Sequence, residues 1–76
     1  MNVTELPPLD EYVELRDLIG SVQPAYPTED SVRWFTRRHR DALAASGALI
    51  IIAGRMRFHP GLFKKAAVEI GQKAAA

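Results

Sequence analysis

Six arginines, Arg33, Arg37, Arg38, Arg40, Arg55 and Arg57, are the residues whose type and spacing could do chemistry in this sequence, and that chemistry is the binding of anions. A guanidinium presents its donors in a planar fork that fits a phosphate or the major-groove edge of guanine. On a helix turning about 100° per residue, with Val32 as origin, Arg40, Arg33 and Arg37 fall at about 80°, 100° and 140°. They make a narrow stripe beside the side formed by Val32, Phe35, Thr36, His39, Leu43 and Ser46, which is expected to be buried. Arg38 adds to the same basic cluster. Thr28 and Ser31, at the start of that helix, could donate hydroxyls to a phosphate beside the positive end of the helix dipole. Arg55 and Arg57 read as phosphate or minor-groove contacts on a hairpin. Plainer readings stand beside these: a solvated helix face for the stripe, simple capping for Thr28, and for Arg55 and Arg57 charges that deter edge-strand aggregation.

Other chemistries lack their parts. There is no cysteine, so no disulfide framework, thiolate zinc site or thiol nucleophile is available. His39 and His59 are the two histidines; the first is expected to pack at the core edge and the second to precede a helix. Ser31, His39 and Asp41 fall at the wrong helical angles for a hydrolytic constellation. Gly54 sits in a turn without a phosphate-binding loop pattern around it. The expectation is a protein that is not an enzyme and carries no metal or cofactor. Lys64 and Lys65 lie off the buried side of their helix and read as solvated. Trp34, at about 200° and so opposite the core side, is expected to pack under the first helix or the hairpin, with stacking on a base as the alternative.

The chain has 76 residues, of which 47% are hydrophobic and 25% charged, the composition of one small folded domain. A catalytic domain with a regulatory partner does not fit in that length. The longest apolar run, residues 48–53, is far short of the roughly 20 that a membrane-spanning helix needs. No basic region leads into an apolar stretch at the N-terminus, so no signal peptide is expected and the location is expected to be cytoplasmic, for a protein of bacterial or phage origin. A net charge of +1 hides a polarity: residues 1–30 hold seven carboxylates against Arg16, a balance of −6, while residues 31–65 hold eight bases against Asp41, a balance of +7. Such a separation can make one face electropositive and attractive to a phosphate backbone. Alternatively, the acidic and basic elements pair with each other inside the fold.

The elements that must hold these residues can be read along the chain. Residues 1–9, with Pro7 and Pro8, form an extended leader, and residues 10–72 form the domain. Asp10 caps a short amphipathic helix over residues 11–19, with Tyr12, Leu15, Leu18 and Ile19 inward and Gly20 as its stop. The segment 21–27 (SVQPAYP) is loop, and Thr28 followed by Glu29 and Asp30 starts a second helix that ends at Gly47. That helix is either continuous or broken near residues 39–41 into two. Residues 48–52 and 55–59 make a hairpin around Ala53-Gly54. A two-residue turn pairs Ile52 with Arg55, Ile51 with Met56, Ile50 with Arg57 and Leu49 with Phe58, which puts Leu49, Ile51, Met56 and Phe58 on one face and both arginines on the other. Ala53 suits the required positive φ poorly, so a longer, bulged loop is the alternative. Pro60 opens a last helix with Leu62, Phe63, Ala66 and Ile70 inward, fraying at Gly71, and residues 73–76 are set aside as a tail. Ile50, Ile52 and Val68 are apolar positions that a monomer does not use, a contact surface for a second copy or another protein.

From residue 28 to residue 63, the run TEDSVRWFTRRHRDALAASGALIIIAGRMRFHPGLF resembles the excisionase and MerR-like small winged helix-turn-helix DNA-binding proteins of phages and mobile elements, over about half the chain. The resemblance is carried by a helix holding Arg37-Arg38, Gly47 at its end, a strand, the turn Gly54-Arg55, an arginine-bearing return strand and a hydrophobic helix. Two departures stand out: the helix before Gly47 is longer than in most members, and a proline-containing loop replaces the usual tight turn between the first two helices. The resemblance implies a mainly α fold with a small β-hairpin, in which helix 31–40 enters the major groove and wing 48–59 lies on the backbone or in the minor groove. The function expected is sequence-specific binding of double-stranded DNA, as a transcriptional regulator or as an excisionase-type accessory factor in DNA recombination. A homodimer or side-by-side assembly on DNA is expected to supply specificity, and a recombinase is a possible partner. From a different class, the same scaffold could be a protein–protein adaptor using Ile50, Ile52 and the acidic first helix.

Overall fold

In the computed structural model, which describes residues 6–23, 25–26 and 28–76, a 3-10 turn (Leu9–Glu11) is followed by α1 (Leu15–Val22), α2 (Glu29–Arg38), α3 (Arg40–Ala45), β1 (Leu49–Ile52), β2 (Arg55–Phe58) and α4 (Pro60–Ala75). The chain is mainly helical, with one antiparallel hairpin after three helices. Residues 1–5 of the expected leader, and Pro24 and Pro27 of the expected loop, lie outside the described residues. Among the described residues no helix is long and apolar enough to cross a membrane.

The first helix begins and ends later than its apolar spacing predicts. Tyr12 and Val13 are extended, because Val13 exchanges two backbone hydrogen bonds with Phe58, at 2.7 and 2.8 Å, and so lies along the side of β2 that β1 leaves free. The Tyr12 hydroxyl donates to the Gly47 carbonyl at 2.7 Å. A helix starting at Asp10 would forfeit all three bonds. At the other end Gly20 does not stop α1. Leu15, Leu18, Ile19 and Val22 continue one apolar stripe across it, with Leu18 and Val22 buried. Burial, with a smaller contribution from Glu11, raises the Tyr12 phenol above its ordinary pKa of 10.0. The neutral form is therefore the one the fold favours, and its contribution to stability fades only as pH climbs past 10.0 toward the raised value.

Thr28 caps α2 through a reciprocal capping box: its Oγ1 accepts from Ser31 N–H at 3.1 Å, and Ser31 Oγ accepts from Thr28 N–H at 3.2 Å. Of the two readings of the long helix, the broken one is found. His39, at φ −119° and ψ 29°, ends α2 and starts α3, its ring 4.7 Å from that of Phe35 at the core edge. Gly47, at φ +82°, then closes α3. Its N–H bonds the Ala44 carbonyl and the Ala48 N–H bonds that of Leu43, satisfying two terminal carbonyls. A Cβ on Gly47 would sit 2.7 Å from Leu6 Cδ2 as well as being strained. Gly47→Ala is expected to lower stability by about 1–2 kcal/mol, checked as a reduced urea midpoint with unchanged slope.

The hairpin adopts the two-residue register read from the sequence, Leu49 opposite Phe58 through Ile52 opposite Arg55. Ala53 (φ 53°) accepts the left-handed conformation beside Gly54 (φ 76°), and no bulge is needed. The apolar face is buried only at the base. Leu49 and Phe58 join the core, whereas Ile51 and Met56, nearer the tip, are exposed because the hairpin projects beyond the helices. In α4 Pro60 takes the first turn and His59 Nδ1 accepts from Leu62 N–H at 3.0 Å. Phe63 and Ala66 are buried, with Leu62 and Ile70 packed against them. The helix runs through Gly71 to Ala75, past the expected fraying point and into the residues set aside as tail, since lysine and alanine offset the glycine. Leu18, Val32, Phe35, Leu43, Phe58 and Phe63 make one core at which all the elements meet.

Candidate nucleic-acid interface

Arg33, Arg37 and Arg40 keep their common stripe in spite of the break at His39. With Thr36, Leu15, Met56 and Phe58 they line a groove of about 170 Å³ between the α2–α3 segment and β2. The stripe therefore faces the hairpin, and the apolar side of the hairpin forms part of the groove floor. Thr36 is 4% exposed and its Oγ1 has no hydrogen-bond partner among the described residues. A buried hydroxyl without a partner is costly, so the groove holds a spare polar group as well as three cations.

The eight residues singled out by sequence fall into four groups. Arg33, Arg37 and Arg40 are brought together. Arg38 does not line that groove; its guanidinium lies 5.5 Å from the centre of the Trp34 ring, and it lines a separate shallow hollow at the α2–α3 break with Arg37, His39, Arg40 and Asp41. Thr28 and Ser31 stand at the opposite end of α2, about 14 and about 9 Å along the axis from Arg37. There Ser31 spends its hydroxyl proton on the Thr28 carbonyl, at 2.7 Å, and Glu29 and Asp30 follow. Two carboxylates in the first turn oppose an anion at that terminus, which shifts the electropositive end of α2 to its C-terminal half.

Arg55 and Arg57 project from the hairpin face opposite Phe58, as the register requires. Both are met by Glu14 Oε1, at 3.2 and 3.3 Å. Glu14 follows the extended Val13, so alternation along that short strand puts its carboxylate on the arginine face. Arg33 is paired with Glu29 at 2.6 Å. Both readings of the charge polarity are thus realised in part: three arginines meet acidic segments, while Arg37, Arg38 and Arg40 form no ion pair among the described residues. The pairs of Arg33 and Arg55 are well exposed, where such contacts are worth about 0–1 kcal/mol and yield readily to a stronger anion. If these arginines hold a nucleic acid, Glu14→Gln, which leaves the backbone pairing of Val13 untouched, is expected to tighten its binding about fivefold at low salt and to steepen the salt dependence, measured by fluorescence anisotropy on duplex DNA.

Trp34 corrects the expectation that it packs under the first helix or the hairpin. It is 59% exposed, and its side chain lies under the Arg38 guanidinium instead. Val22, Val32 and Phe35 already close the core on that side of the chain, so an indole on the far side of α2 has nothing to pack beneath. Glu14 and Trp34 are the residues that the sequence reading passed over or misplaced, whereas Thr36 is buried as its helical angle requires. For Glu14 the signal was present, in the alternation of Tyr12, Val13 and Glu14, but helical periodicity masked it.

Among the described residues no group of three or more His, Asp or Glu side chains is placed to hold a metal ion. Comparison of the chain with protein-family models, with curated proteins and with solved structures gives no match.

Proposed function

We propose that this protein is a winged helix-turn-helix DNA-binding protein, with α2 entering the major groove of a duplex and the β1–β2 hairpin acting as the wing. It regulates transcription or assists a recombinase as an excisionase-type factor, and it acts in the cytoplasm. The observation that carries this reading is the groove between α2–α3 and β2, which Arg33, Arg37 and Arg40 line together. A polyanion supplies what that groove lacks: phosphate oxygens accept from the exposed guanidinium donors, and releasing the counterions held on DNA adds to affinity. The order of three helices followed by a two-stranded hairpin is compatible with the same reading, and α2 and β2 line one groove. A module this small touches few bases, so a second copy, or copies side by side on repeated sites, supplies specificity.

The test is a titration of fluorescent duplex DNA at two salt concentrations, with random sequence and with DNA from the gene's own promoter region. The expected result is binding that weakens steeply with salt and favours the promoter. Failure to bind either duplex at low salt would overturn the reading and leave the adaptor class, with the exposed Ile51, Ile52 and Met56 at the hairpin tip as the surface to pursue.

A further inference from the structure

Trp34 is the one tryptophan in the chain, and it is held in solvent on the helix that the DNA reading assigns to the major groove. An indole is a large apolar surface with a single N–H donor, and leaving it exposed forgoes more burial than leaving almost any other side chain so. Its neighbours one, three and four positions away on α2 are Arg33, Arg37 and Arg38, of which the last two carry no carboxylate partner among the described residues. Arg38 lies over the ring, its guanidinium 5.5 Å from the ring centre, and that contact leaves its edge donors free. An apolar plate set between cations without ion-pair partners is complementary to a surface that is anionic at its edges and apolar at points between them.

The major groove has that character. Phosphates border it, and the apolar group that bases display there is the thymine methyl. Resting on the DNA-binding reading above, we infer that Trp34 is a specificity-determining residue that reads thymine methyl groups by apolar contact, with Arg37 and Arg38 on the flanking phosphates. Stacking on an unpaired base would also use the ring, but it requires the duplex to open and a base to leave its stack.

Two duplexes separate these possibilities: alternating adenine–thymine, and the same duplex with deoxyuridine replacing thymidine, which deletes the methyls and preserves the phosphates and hydrogen-bonding edges. Affinity is read from a label on the DNA and contact from the emission of Trp34, using the full chain, Trp34→Phe and Trp34→Ala. The wild type is expected to bind the thymine duplex roughly fourfold more tightly for each methyl contacted, with its emission shifted to the blue on binding. Trp34→Ala is expected to keep its fold, bind the thymine duplex more weakly and treat the two duplexes alike, while Trp34→Phe keeps part of the preference. Equal wild-type affinity for the two duplexes, or an alanine variant that still discriminates, overturns the inference even if DNA binds. Wild-type protein that binds neither duplex at low salt overturns the DNA reading, and this inference falls with it.

Discussion

Phe63→Ala is expected to leave a protein that no longer melts cooperatively at room temperature. Phe63 is fully buried on α4, and its ring lies 5.6 Å from Phe35 of α2, 6.0 Å from Phe58 of β2 and 6.3 Å from Tyr26. That one side chain therefore fastens the last helix to the hairpin and to α2 together. Truncating a buried phenylalanine costs about 3–5 kcal/mol, from lost transfer energy plus the cavity left behind. A domain of this size with no disulfide or metal staple has a total stability of about the same magnitude. Circular dichroism against temperature checks this: the wild type should give one sigmoidal transition and the variant a shallow drift. A cooperative transition displaced by only a few degrees would mean that the core can close over the loss. Phe63→Leu, which keeps most of the volume, should restore a sigmoidal transition at lower temperature.

The same cluster shows why some elements were legible in the sequence and others were not. The hairpin register followed from local alternation, because Ala53-Gly54 fixes the turn and a one-residue slip would carry Phe58 out of the core. Pro60 and the spacing of Leu62, Phe63, Ala66 and Ile70 likewise fixed the start and buried side of α4 from neighbouring residues alone. The strand at Val13 was not legible, since its partner Phe58 is distant in the chain and Tyr12, Leu15 and Leu18 satisfy helical spacing equally well. At Trp34 the helical wheel gave the correct side of α2, but the expectation that a tryptophan must be covered overrode it. Charge counting found the polarity of the chain yet could not divide it. The arginines left unpaired depend on where Glu14 and Glu29 reach, which is a property of the assembled backbone.

Reversing two charges, Arg37→Glu with Arg40→Glu, is expected to lower affinity for duplex DNA at least about 100-fold at low salt and to flatten the salt slope by about two. These two are chosen because each lines the groove, is exposed and has no ion-pair partner among the described residues, so their replacement leaves no orphaned carboxylate in the fold. Arg33 is a poorer probe, since its loss would also free Glu29. The control is Lys64→Glu with Lys65→Glu, which changes net charge by the same amount on exposed positions of α4 that do not line the groove. If affinity falls only in the first pair, the groove positions the phosphates. Equal losses in both pairs would mean that binding follows net charge, and the assignment of α2 and the hairpin as the DNA-facing side would have to be abandoned.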